Sequence, residues 1–271
     1  MAEFKVARLR LERAIKHGRM LADMWNALPD EYLCKIKVRM TDGSHGQIEV
    51  EEVNPVPDEF ALLLGEMLYQ SRAALDACIY QATAYHTGKF PPDKETSLEY
   101  PITSDATEFP KLVQRRLWGL PQDVIDGIEM GQPFNVPNTT GKALMETTNR
   151  NLAILNDLAR KDRHRALHVV GSLPIRIVPQ FRLPEGVSVK NLNINAGPQL
   201  LTDGTVLATF ELNGFQSGTG MQVGVSAGMA TGIGCLEPPA PCCPEDTFSA
   251  RLGGILGAVS TIVSAFENYN F

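Results

Sequence analysis

Leu158-Ala-Arg-Lys-Asp-Arg-His-Arg-Ala-Leu-His168 is the point at which apolar residues stop recurring at helical spacing and begin to alternate. Upstream, Thr139 or Thr140 suits the N-cap of a helix running to about residue 164. On its wheel Leu144, Leu155, Leu158 and Ala159 share an inner face with Asn151 and Asp162, while Asp157, Arg160 and His164 project outward. Downstream, between 166 and 230, Leu173-Pro-Ile-Arg-Ile-Val178, Val187-Ser-Val-Lys-Asn-Leu192, Val206-Leu-Ala-Thr-Phe-Glu-Leu212 and Met221-Gln-Val-Gly-Val225 read as strands. Asp203-Gly204 and Asn213-Gly214 supply turns. One segment thus separates a helical part from a β part.

The rest of the chain repeats that division. Residues 3–28 set Phe4, Ala7, Leu11, Ala14 and Met20 or Leu21 against Lys5, Arg8, Arg10, Arg13 and Lys16, the pattern of an amphipathic helix. Leu33 to Met40 and Gln47 to Val53 alternate with period two around the turn Thr41-Asp-Gly-Ser-His-Gly46, the clearest hairpin in the chain. Pro57-Asp58 opens a long helix to about Tyr85, whose wheel aligns Leu64, Leu68, Leu75, Ile79 and Ala82. Residues 89–103 read as loop, 105–118 and 121–130 as short helices, and 131–138 as a turn region. A Pro-rich break at 238–244 precedes a terminal helix to about Asn268. The expected fold is a single α+β domain spanning 1–271. Its four-helix core comes from 3–28, 57–165 and 245–268, and the antiparallel sheet from 31–53 and 166–230.

Composition narrows the partners. With 44% hydrophobic and 21% charged residues among 271, the chain is ordinary globular material. A net charge of −6 argues against broad attraction to nucleic acid or anionic lipid, although a local basic patch stays compatible with it. The N-terminus has no apolar core of signal-peptide type, and the run Leu252 to Phe266 falls short of the roughly twenty residues of a membrane span. The five cysteines are odd in number and lack paired zinc-ligand spacing, which suits free thiols. We therefore expect a cytoplasmic protein without a membrane partner and without a cofactor.

Candidate chemistry gathers on two helices. Arg72 falls inside the apolar stripe of the 57–86 helix with Asp76 one turn on, where an i, i+4 ion pair forms. A guanidinium turned toward a core needs acceptors, and Asp162 on the inner face of the later helix is a candidate. His164 and His168 have the four-residue spacing of a helical metal pair. Arg165 stands where zinc proteases carry Glu, however, and the flanking arginines repel a cation.

At these two places the chain resembles a group of uncharacterised bacterial proteins whose helices read approximately Leu-Arg-Ser-Ala-Leu-Asp-His and Asp-Lys-His-Arg-x-Leu. Here they stand as Gln70-Ser-Arg-Ala-Ala-Leu-Asp-Ala77 and Asp162-Arg-His-Arg-Ala-Leu167, with Tyr100-Pro-Ile102 and Gln132-Pro-Phe134 between. The first motif is similar to that of HEPN ribonucleases, in which an Arg holds phosphate and a His four to six residues later moves a proton. Arg163 and His168 have the HEPN spacing, and we expect catalytic roles for Arg163, His164 and His168 and ligand-binding roles for Arg72, Asp76, Arg160 and Asp162. The resemblance departs at Ala77, which stands in place of the histidine and predicts impaired cleavage. Two functional classes follow. One binds RNA or another phosphate-bearing ligand with residual ribonuclease-like chemistry; the other is a non-enzymatic protein-interaction module whose polar cluster is structural.

Overall fold

In a computed structural model the chain folds as α+β, with six α-helices and an antiparallel sheet of four strands among the described residues. The structure describes residues 4–28, 34–139, 143–164, 170–195, 201–215, 224–235 and 248–271. The helices are α1 (Lys5–Ala27), α2 (Asp58–Thr87), α3 (Phe109–Arg116), α4 (Gln122–Met130), α5 (Ala143–His164) and α6 (Phe248–Asn268). The strands are β1 (Cys34–Met40), β2 (His45–Val53), β3 (Val170–Arg182), β4 (Ser188–Ile194), β5 (Val206–Asn213) and β6 (Gly224–Cys235). Contacts divide the chain into a helical unit of residues 1–23, 58–168 and 237–271 and a β unit of residues 24–57 and 169–236.

In the helical unit, α2 is the axis. Leu64, Leu68, Leu75, Ile79 and Ala82 are fully buried, as its wheel predicts, but so are Ala74 and Cys78, and burial extends round more of the helix than one stripe. Helices α5 and α6 both pack on it and on each other. Phe4 just ahead of α1 and Ala7, Leu11 and Ala14 on it turn inward, and the choice between Met20 and Leu21 falls to Leu21, with Met20 exposed. Gly18 lets α1 close in: a Cβ there would sit 3.2 Å from Leu256 Cδ1 and 3.6 Å from Met67 Sδ. Gly88, at φ +67°, ends α2 in the left-handed conformation that glycine adopts without strain.

Two expectations change for this unit. Leu144, placed by its wheel on the inner face of α5, is 69% exposed, because an angular projection ignores position along the axis and burial on α5 begins only at Thr148 and Asn149. The terminal helix runs past the fifteen-residue apolar core, and Ser249–Asn268 is long and apolar enough, by length and composition, to cross a membrane. Here Leu252, Ile255, Val259, Val263 and Phe266 are buried within the protein.

In the β unit the four-stranded sheet runs β1-β2-β5-β4, antiparallel throughout, and β3 and β6 form a separate two-stranded ribbon. The period-two pattern of the first hairpin holds, pairing Val38 with Ile48 and Arg39 with Gln47. One face of the sheet packs Cys34, Ile48, Val50, Leu207, Phe210 and Leu212 against Ile177 of the ribbon, with Phe181 edge-on to Phe210 at 5.1 Å. Strand β6 is longer than the expected 221–225 because it pairs with β3 along its whole length. Its Gly-Met-Ala-Thr-Gly-Ile-Gly stretch, 228–234, shows no apolar alternation, so backbone pairing rather than side-chain pattern makes it a strand. Pro174 and Pro179 are tolerated in β3 since each strand of a two-stranded ribbon has a free edge. The Pro-rich break at 238–244, with Cys242 and Cys243, lies outside the described residues.

Gly46 sits opposite Phe210, and a Cβ on it would lie 2.3 Å from the ring's Cζ. Valine has the higher strand propensity, by up to about 1 kcal/mol, yet Gly46→Val must displace a buried ring. We expect it to destabilise by about 1–3 kcal/mol, measured by chemical denaturation; unchanged or raised stability would contradict this packing.

Candidate functional site

The segment Tyr100–Thr103 is buried yet belongs to no helix or strand. Its backbone groups must therefore find partners elsewhere, since a buried peptide N–H or C=O without one is costly. Side chains supply them. The Tyr100 N–H donates to Asp76 Oδ1 at 2.9 Å, and Arg72 Nη2 donates to the Tyr100 carbonyl at 2.8 Å. Being one turn apart on α2, Arg72 and Asp76 reach both polar groups of one residue, as a neighbouring strand would. They also pair with each other, Arg72 Nη2 lying 3.5 Å from Asp76 Oδ1.

Gln132 holds the other end. Its Oε1 accepts the Thr103 N–H at 3.0 Å, and its Nε2 donates to the carbonyls of Pro101 at 3.0 Å and Ile128 at 3.1 Å. The four short stretches that carry the sequence resemblance thus partly converge: the Arg72 motif and the Gln132 motif meet on Tyr100-Pro-Ile. Asn149, from α5, donates to the Met130 carbonyl at 3.0 Å and ties that helix to the C-terminal end of α4.

Beside this clamp lies a cleft of about 310 Å³ whose polar wall is Arg72, Asp76, Glu99, Thr103, Glu108, Arg116 and Asn156. Arg116 Nη2 pairs with Glu99 Oε2 at 2.8 Å, and the Thr103 hydroxyl donates to Glu108 Oε2 at 3.2 Å. Burial pushes the Asp76 carboxyl above its ordinary value, although Arg72 and the Tyr100 N–H pull it down. Burial also pulls the Arg116 guanidinium down, against Glu99. The side chain of Arg72 is only 13% exposed, and its Nη1 is buried with no hydrogen-bond partner among the described residues.

Of the residues singled out by sequence, Arg72 and Asp76 meet as expected. Arg160 is exposed on the surface of α5, 3.8 Å from Asp157 Oδ1, and Lys161 Nζ lies 2.8 Å from the same carboxylate. Asp162, Arg163 and His164 occupy the last turn of α5, with their side chains outside the description, and His168 lies outside the described residues. Sequence reasoning missed Glu99, Glu108, Arg116 and Asn156. Arg115-Arg116 reads as an ordinary basic helix end, and only the nearby Tyr100-Pro-Ile motif signalled the region.

A second groove, of about 430 Å³, runs over the sheet at His45, Asn191, Asn193, Thr209 and Glu211. Its polar groups largely satisfy one another. His45 Nδ1 lies 2.9 Å from Asp42 Oδ1, while Lys190 and Asn191 donate to Glu211. Among the described residues no group of three or more His, Cys, Asp or Glu is placed to hold a metal ion. No family model, no curated protein and no solved structure matches the chain.

The clamp generates two predictions. Gln132→Ala strips the buried Thr103 N–H and Pro101 carbonyl of their partner, at about 1–3 kcal/mol for each group left unsatisfied. We expect a matching loss in denaturant unfolding, and a loss below 1 kcal/mol would show the segment is held otherwise. Because the folded-state pKa of Asp76 is raised above 3.8, the native chain binds its proton more readily than the unfolded one. Its contribution is fullest at acid pH and is lost as pH rises through the raised value. The melting temperature of the native sequence should therefore gain on that of Asp76→Asn as pH falls from 7 toward 4; a difference that shrinks instead contradicts the burial.

Proposed function

We propose that the helical unit is a ligand-binding bundle of HEPN type, in which the cleft beside Arg72 receives a phosphate-bearing ligand, RNA being the class the resemblance implies. The observation that carries this reading is Arg72, which lines the polar cleft and whose Nη1 is buried without an acceptor among the described residues. Leaving such a group unmatched is costly, and a ligand oxygen relieves it. The pairwise packing of α2, α5 and α6, with α1 against α2 and α6 at Gly18, supports the bundle.

Binding, rather than cleavage, is the role the residues support. Ala77 replaces the histidine that would follow Arg72, and the next residue, Cys78, is fully buried with its thiol pushed up by desolvation, so it offers no base. Any proton transfer would fall to Arg163 and His168, the latter outside the described residues.

A second reading has its own observation. Arg72 and Asp76 already serve the Tyr100 backbone, which suits a non-enzymatic protein whose polar cluster only fastens helices. Asn156 separates the two, because it lines the cleft and lies outside the clamp. With a short single-stranded RNA followed by fluorescence anisotropy, we expect Asn156→Ala to weaken binding about tenfold while the melting temperature holds. The fastening reading wins if the native chain binds no RNA and Arg72→Ala merely lowers stability, by a few kcal/mol for a carboxylate left without its partner.

A further inference from the structure

Resting on the ligand-binding reading, we infer that the cleft recognises the uncharged part of the ligand, a nucleoside's sugar or base edge, and leaves the phosphate outside. The charge on the wall makes the case. Two guanidiniums, Arg72 and Arg116, face three carboxylates, Asp76, Glu99 and Glu108. Arg116 is engaged by Glu99 at 2.8 Å, and Arg72 shares one amino group between Asp76 and the Tyr100 carbonyl. Glu108 accepts from the Thr103 hydroxyl and pairs with no cation among the described residues. The wall is therefore negative on balance, and a phosphate dianion set into it would meet like charge at short range.

A neutral donor and acceptor side by side suits it better. The guanidiniums of Arg72 and Arg116 bring N–H donors to the wall, which suit an oxygen or ring-nitrogen acceptor. Glu108 asks for an N–H or O–H donor, and the Asn156 amide offers both kinds of bond. Ribose hydroxyls and the edges of nucleobases present that combination, whereas phosphate oxygens only accept. The cleft's volume of about 310 Å³ lies at the lower end of small-ligand sites, roughly 300–1,000 Å³, which is room for one such unit and not for a run of polymer.

The experiment uses the full chain and isothermal titration with adenosine, uridine, ribose, adenosine monophosphate and inorganic phosphate, in parallel with the short RNA. We expect a nucleoside to bind nearly independently of salt, inorganic phosphate to show no heat at the same concentration, and Glu108→Gln to weaken nucleoside binding at least tenfold. Glutamine keeps an acceptor for Thr103, so folding is retained, and an unchanged melting temperature checks this. Ribose binding without base discrimination assigns the cleft to the sugar; a preference between adenosine and uridine assigns it to the base edge. If inorganic phosphate binds as tightly as the nucleotide, or RNA binds while nucleosides and ribose do not, the inference is overturned and the ligand-binding reading survives. If none of the probes binds, both fall.

Discussion

The helical unit depends on a stretch of backbone that is buried without being regular. Tyr100 to Thr103 passes through the interior with no ladder or helix to absorb its polar groups, and two side chains from α2 and one from the turn after α4 do that work. Removing water from a peptide group is tolerable only when its hydrogen bonds are replaced. The segment thereby fixes the places of Arg72 and Asp76 on α2 and of Gln132 after α4. Tyr100 itself, 2% exposed, fills the space between them, and burial pushes its phenol well above the ordinary value.

The cleft is a by-product of that arrangement. Once Arg72 is committed to a backbone carbonyl through Nη2, its planar fork is fixed, and the direction of Nη1 follows from covalent geometry. Glu99 and Thr103 flank the clamped residues in sequence and are carried to the rim with them, where Arg116 and Glu108 meet them. Arg72 thus both fastens the Tyr100 backbone and lines the cleft. A change at Arg72 therefore disturbs clamp and cleft together, whereas Asn156 lines the cleft without taking part in the clamp.

Periodic features were legible. The alternation of Cys34 to Val53 and the stripe of α2 carried through, and Arg72 with Asp76 could be paired from their four-residue spacing alone. Features set by partners were not. The 228–234 part of β6 lacks a strand pattern and is a strand because β3 lies beside it. Leu144 has the angle of a core residue but no neighbour at its height on α5. Arg116 looked like a helix-end cation until Glu99, seventeen positions earlier, proved to be its partner.

The opening segment, Leu158 to His168, marked the change from helical to alternating periodicity, and with it the α+β class, because side-chain periodicity is a local property of the chain. What it could not locate was the polar site. Its own Arg160 stays at the surface with Asp157, while the cleft draws on residues from 72 to 156. Those residues meet only through long-range packing around Tyr100 to Thr103. Which buried backbone groups need side-chain partners is decided by the tertiary structure, since burial is not a property of any residue alone.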